Sequence, residues 1–526
     1  MHAMDEEFFD KDFFNIDPLF TSRRRLTDAE IDEIIQRFVD ETLNMAEAEA
    51  AMERLARAEK RVLPRLLSLI ASPDPHLHQT AIVLVREMDF TKAIEPLHKL
   101  LEDPDLEDDH KMSILHALDA LGGLPPDENP FVYLRDPEAM FQKTQEATLN
   151  SFQDPLELET VLQTIVAGNV AIRDNPNILP AMADIQDRRL LPLLLCLLHA
   201  SDDDIVIGAI DALTVLNDAS VVPILKERAL YDPVPDVRYA AQEAADELDF
   251  DPAASRPTSI FDLPVAPPPL VRCLISTIDG NGGQVLVIVR QQPDGERGYL
   301  FWDVMFNDHE GIKDCFGGQS HDDEEIEAVI VDGLAEIGIE TLEIGLERAR
   351  AELERAYQIT LEANRRLPVS YMGWQSWLQG EDDEPVEVFP LPEVTPEEQA
   401  TLFEHCDDLT DLDEFESWFF DPDELHGLER RFRQLMERRT AQEAIEKLVS
   451  KAIKNVVDDR RRRLLHERLE RQAWLLAQIY EGDEIPKLVL AAAAGLSDEA
   501  GAGLDQHPLL REMMFNSFFN AIGWGL

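Results

Sequence analysis

The chain has 526 residues, with 105 acidic against 48 basic side chains and a formal net charge of −57 at pH 7. Such an excess of acid argues against the whole surface being a nucleic-acid binder, since neutralising phosphates needs clustered Lys and Arg. The 44% hydrophobic content excludes a disordered chain, and the length predicts about three domains or one long array plus an extra module.

The four cysteines, Cys196, Cys273, Cys315 and Cys406, are scattered, with no CxxC pair and no Cys/His zinc spacing. That usage fits a reducing compartment. The first residues, MHAMDEEFFDKDFF, are acidic and lack the cationic start and apolar core of a signal peptide. No uncharged apolar run approaches the ~20 residues of a membrane span. A cytoplasmic protein without a membrane segment is expected.

Residues 1–25 form an acidic, aromatic N-terminal arm carrying Phe8, Phe9, Phe13, Phe14 and Phe20. It reads either as a linear motif that docks in a partner's apolar groove or as an arm lying on the chain's own first helices. Thr27-x-x-Glu30 is a capping box, and Ile31, Ile34, Ile35, Phe38 and Val39 follow at helical spacing.

Residues 26–250 carry an internal repeat, clearest from 61. Four apolar segments align on Pro64, Pro96, Pro192 and Pro223, and each predicts a helix with proline in its first turn, where the missing N–H costs nothing. An Asp/Ser/Pro turn and a second helix follow, as in 204–216 and 236–248. The spacings are 32 (64 to 96), 96 (96 to 192, three periods) and 31 (192 to 223), leaving room for two degenerate units near 122–131 and 154–167.

This pattern resembles the HEAT-type helical repeat, in the short bacterial form also seen in bilin-lyase-like proteins. The resemblance rests on the x-L-P-x-L-L first helix, the Asp-Pro turn and the Val237-Arg238-x-x-Ala241 start of a second helix. It implies an α-solenoid that binds protein, through the inner helix of each pair, with Arg173 and Arg238 on its polar surface.

Residues 251–269 hold six prolines and predict a stiff linker. Residues 270–380 then change period. LVRCLISTI, QVLVIVRQ and GYLFWDVMF, with a DGNGG hairpin signal at 279–283, predict a three-stranded antiparallel sheet. Helices over 322–337 and from 339 to about 366 complete a small α+β module.

Residues 381–427 form an acidic, loop-rich segment, with eighteen Asp/Glu between 381 and 424. Residues 428–526 are helical, and within them 429–471 hold fourteen Lys/Arg against eight Asp/Glu, including Arg460, Arg461, Arg462 and Arg463. This basic stretch has two readings: an anion or nucleic-acid contact, or docking on the chain's own acidic segment. The expected fold is mostly α: a HEAT-like solenoid, a small α+β module and a C-terminal helical region.

Ligand-type residues crowd the segment from Asp303 to Gly318, where Asp308, His309, Glu310 and Asp314 are candidates for a divalent metal. Their spacing matches no metal loop, and the competing reading is a strand end, a capped helix start and a glycine stop. No nucleophile–base motif, GxSxG or phosphate-binding GxxxxGK[ST] is present. The expectation is therefore a non-enzymatic interaction scaffold without cofactor, whose partner is a protein of basic character. The rival readings are a lyase-like protein whose repeats hold a substrate, and nucleic-acid association through the 429–471 helix.

Overall fold

The computed structural model describes residues 18–523 apart from 22–23, 41, 44, 125–128, 167–177, 249–267, 293–297, 321–325, 327–330, 332, 336–337, 376–390, 426, 438–441 and 498–502. Most of the linker expected at 251–269, Arg173, most of the N-terminal arm and most of the 322–337 helix expected from sequence thus lie outside the described residues. The chain divides into two compact units, 1–148 and 149–526, a boundary inside the expected 26–250 array.

In the first unit the capping box forms: Thr27 accepts from the Glu30 N–H, and Glu30 accepts from the Thr27 N–H at 2.8 Å. Phe20 of the arm is buried beneath the Arg37 guanidinium, 4.7 Å from its ring centre. Helix pairs follow: Glu59–Ile70 with Pro75–Glu87, and Ile94–Leu101 with Asp108–Ala120. Pro64 departs from expectation. It lies inside its helix, because the buried stripe Val62, Leu63, Leu66 and Ile70 carries the helix upstream past the proline.

The repeat period brings two histidines together. His78 and His110 occupy matching positions on the second helices and meet edge to face, ring centres 4.2 Å apart. Both are buried, and His78 Nδ1 sits 2.6 Å from the Ile70 carbonyl.

In the second unit, Leu191–Leu197 pairs with Asp203–Leu216, and Val222–Tyr231 pairs with Pro235–Glu247. Pro192 and Pro223 stand in the first turn, as the sequence predicts. A five-stranded antiparallel sheet follows: β1 (Leu270–Ser276), β2 (Gly283–Gln291), β3 (Tyr299–Asn307), β4 (Gly311–Ser320) and β5 (Thr341–Ile344), in the order β4-β3-β2-β1-β5. The expected three-stranded sheet is corrected by two strands. β4 holds Gly317 and Gly318, which read as a helix stop but are needed for close approach. A Cβ at Gly317 would run into the Trp374 ring, and one at Gly318 into Phe301. β5 is a four-residue strand where the sequence predicts the start of a helix; that helix begins at Leu346.

One apolar core joins the repeats to the module. It includes Leu158, Leu194 and Leu225 from the helices, Ile288, Trp302 and Val304 from one sheet face, and Leu353 from the Leu346–Glu362 helix. Alternation along the strands places those three sheet residues on that face. The polar contacts gather at the turns. Arg366 donates from Nε to Asp232 Oδ2 at 2.9 Å, and from Nη2 to Asp232 Oδ1 at 3.0 Å and Asp203 Oδ1 at 2.7 Å. Its Nη1 reaches the Ala200 carbonyl at 2.7 Å. Arg228, itself buried, donates to the same Asp232 at 3.2 Å.

A second core lies between 406 and 522. Phe415, Trp418 and Phe420 of the acidic segment pack there with Phe432, Ile453, Leu465 and Leu469. Of the region read as loops, the described part from Pro396 is a short helix, Pro396–Phe403, followed by 3-10 turns anchored by these aromatics.

Burial pushes the His78 imidazole down, outweighing the Ile70 carbonyl that favours its charged form; the charge of His110 lowers it further. With the folded-state value below the ordinary 6.5, the neutral ring stabilises the fold fully above that pH. The contribution is lost as pH falls from there. Thermal unfolding of the full chain between pH 7.5 and 5 should therefore show a steeper loss of midpoint for the wild type than for His78→Leu.

Candidate interaction surface

The two second helices of the later repeats, Asp203–Leu216 and Pro235–Glu247, pack on each other and keep a polar flank outward. Helical spacing puts Asp236, Tyr239, Glu243 and Asp246 on one exposed stripe, beside Gln242 and Glu247. The neighbouring helix presents Asp204, Asp211 and Val215. Tyr239 is 69% exposed, and Leu230 in the preceding helix is 70% exposed. The first helices face the other way. Leu191–Leu197 packs on the Val369–Trp374 helix, and Glu227 of Val222–Tyr231 accepts from Tyr357 Oη at 2.7 Å. The chain thus covers much of its own first helices, leaving Leu230 and Tyr231 exposed, and leaves the second ones carrying acids with an aromatic among them.

Arg238 lies on this outer helix, but its Nη1 donates to the Asp232 carbonyl at 2.6 Å and the Pro233 carbonyl at 3.2 Å. It closes the turn between the two helices and is in part taken up by the chain itself.

The four candidates for a metal do not converge. Asp308 is buried and pairs bidentately with Arg468: Nε to Oδ2 at 2.7 Å, Nη2 to Oδ1 at 3.0 Å. Burial alone would raise the Asp308 carboxyl; hydrogen bonds from His309 and Arg468 and the positive charges of Arg468 and Arg471 reverse this and hold it low. Glu310 stands 3.1 Å from Arg365, and Asp314 accepts from the Cys315 N–H at 2.9 Å on an exposed part of β4. His309 reaches Asp308 at 3.3 Å. Among the described residues no three His, Cys, Asp or Glu side chains gather to hold a metal.

The DGNGG loop explains what Asp308 does. Arg468 Nη1 also donates to the Gly280 carbonyl, its guanidinium lies 5.7 Å from the Trp418 ring centre, and Trp418 Nε1 donates to the Ile278 carbonyl at 3.0 Å. Gly282, at φ +80°, has no room for a Cβ beside Asp308 and Arg468. The loop is a socket for the Asp459–Ile479 helix, a role that sequence spacing does not encode.

Within that helix, Arg461 donates to Glu424 at 2.6 Å and lies over Phe420, and Arg462 donates to the Leu496 carbonyl at 2.6 Å. Arg460 and Arg463 are exposed. Docking on the chain's own acidic segment therefore occupies Arg461.

Asp303, in the crowded segment but not among the metal candidates, proves the most perturbed carboxyl there. It is buried on β3 opposite the shared core, near exposed Met305 and Phe316, and its Oδ1 has no hydrogen-bond partner among the described residues. Burial, aided by the negative charge of Asp314, pushes it up to about 7.

The outer and inner helices just described fall in a stretch that a family model recognises. Residues 177–246 match the model for HEAT repeats. Comparison with curated proteins and with solved structures gives no match. HEAT repeats generally serve as protein-interaction scaffolds, so the repeats point to protein partners. Among the described residues no helix is long and apolar enough to cross a membrane.

Two variants distinguish structural from metal roles in this region. Asp308→Ala strands Arg468 in the interior and should lower unfolding stability by about 3–5 kcal/mol, with no response to added divalent metal in either form. Asp303→Asn should act in the opposite sense. A carboxyl held at about 7 in the fold, against the ordinary 3.8, loses stability as pH rises between those values. The asparagine form should then unfold at a higher temperature than wild type at pH 8, and the gap should close toward pH 5.

Proposed function

We propose that this protein is a non-enzymatic scaffold whose HEAT-like repeats form a solenoid-type surface for a protein partner of basic character. The observation that carries the reading is the exposed stripe Asp236, Tyr239, Glu243 and Asp246 on a helix whose partner helix packs in part against the chain's own Tyr357. Aromatic side chains supply contact area at low entropic loss, and surrounding acids steer a cationic partner toward them. The net charge of −57 extends that steering field beyond the patch. The shape of the surface and its acids select the partner, and no bond is made or broken. In this reading the α+β module and the C-terminal helices brace the repeats from behind, and the protein works in the cytoplasm.

The test is affinity capture from the native cell lysate with the tagged full chain, followed by mass spectrometry at low and moderate salt. A stoichiometric protein partner should be recovered by the wild type, less at moderate salt. It should fall at least tenfold with the double variant Tyr239→Ala, Glu243→Lys. A partner retained equally by that variant would place binding elsewhere, and recovery of nucleic acid without protein would overturn the scaffold reading.

A further inference from the structure

Three arginines in the second unit share one buried carboxylate. Glu352 accepts from Arg348 Nη2 at 2.6 Å, from Arg471 Nη2 at 3.0 Å and from Arg355 Nε at 3.4 Å. Arg348 and Arg355 flank it by one turn on either side of the Leu346–Glu362 helix, and Arg471 comes from Asp459–Ile479. Arg471 also donates to Gln284 at the start of β2.

The donors outnumber the acceptors. Three guanidinium groups carry about fifteen N–H donors between them, against the side chains of Glu352 and Gln284. Three of their nitrogens, Arg348 Nε, Arg355 Nη2 and Arg471 Nη1, are buried without a hydrogen-bond partner among the described residues. Asp308, the nearby carboxylate that favours the charge on Arg471, is already engaged bidentately by Arg468. Three positive charges on one carboxylate leave a local surplus of two, inside a chain whose overall charge is −57. A buried charged donor without an acceptor is unfavourable, so an arrangement that keeps three of them calls for an anion.

Access and geometry fit one. The Arg348 and Arg355 side chains are 22% and 34% exposed, which leaves the cluster in part within reach of solvent. Trp474 lies 4.1 Å beneath the Arg348 guanidinium and fixes its plane. Glu352 accepts from all three forks and so ties them to one point. Planar guanidinium forks bind oxyanions through paired, directed hydrogen bonds that a halide cannot match.

We propose that Arg348, Arg355 and Arg471 form a binding site for a compact oxyanion of the phosphate class. A phosphate dianion balances the surplus of two charges and offers enough oxygens for the three unpartnered nitrogens. The oxyanion is either free phosphate or the phosphoryl group of a modified side chain. The site is separate from the acidic repeat surface, so it stands or falls independently of the scaffold reading.

The test is isothermal titration of the full chain with inorganic phosphate and, separately, with a short phosphoserine peptide. Chloride at matched ionic strength and the unphosphorylated peptide serve as references. Wild type should bind phosphate saturably. Arg355→Gln, which alters the most exposed of the three arginines, should weaken binding at least tenfold. Arg355→Lys should recover part of it, and the exposed Arg460→Gln should leave it unchanged. Tighter binding of the phosphoserine peptide than of inorganic phosphate would assign the site to a protein-borne group; equal or weaker binding would assign it to the free ion. Should Arg355→Gln fail to fold, displacement of phosphate by sulfate from the wild type, read by phosphorus NMR line width, carries the test. No uptake of either probe by the wild type, or equal affinity in folded Arg355→Gln, overturns the proposal.

Discussion

The layout of the second unit depends on the bidentate pairing of Arg366 with Asp232. Asp232 is fully buried in the turn that closes the last repeat pair. A carboxylate there stays ionised only if donors surround it, and Arg366, Arg228 and the Val234 N–H supply them. Arg366 sits just beyond the Leu346–Glu362 helix, so this requirement fixes where that helix ends against the repeats. The following Val369–Trp374 helix is then set in place, with Ser370 and Trp374 donating to buried Glu159 at 2.7 and 3.2 Å. Trp374 in turn lies against Gly317 and defines how close β4 can come. The chain of dependence runs from one ion pair to the edge of the sheet.

A second theme is the division of charge. The acid excess is displayed on the surface, whereas the interior contacts between segments are made largely by arginine. Arg228 and Arg468 are almost wholly buried; Arg228 meets Asp232 at the end of its own helix, and Arg468 meets Asp308, 160 residues away. Arginine suits this use because its fork satisfies a carboxylate from two directions and also donates to backbone carbonyls, as Arg468 does at Gly280 and Arg366 at Ala200. With few basic residues available, the chain spends many of them on internal joints.

The sequence made the repeat helices legible because burial there follows a local period. Pro192 and Pro223 mark helix starts, and Thr27-x-x-Glu30 marks another. The strands β1 to β3 were legible for the same reason, through β-branched and aromatic runs split by glycine turns. β4 was not, since its glycines are required by Trp374 and Phe301, residues distant in sequence or on another strand. Nor was the punctuation of the repeats. Asp89, Gln186 and Asn217 all adopt left-handed backbone, at φ 49°, 57° and 54°, two residues before a short 3-10 turn that opens the next helix. Three different residue types serve that one position, so no motif announces it. In the crowded 303–318 segment the residue types were visible but their partners were not: Arg468 is 160 residues from Asp308.

The covered first helices also bear on the thermodynamics of recognition. A free-standing array of helix pairs bends like a spring, and a partner must freeze that bending when it binds. Here the pairs from Leu191 to Glu247 share a core with a sheet and are latched by Arg366. Their outer helices are held in place by the chain itself, so binding at the proposed surface would forfeit little backbone entropy. If the proposed surface binds a partner, stiffness of this kind would favour discrimination by shape over adaptation.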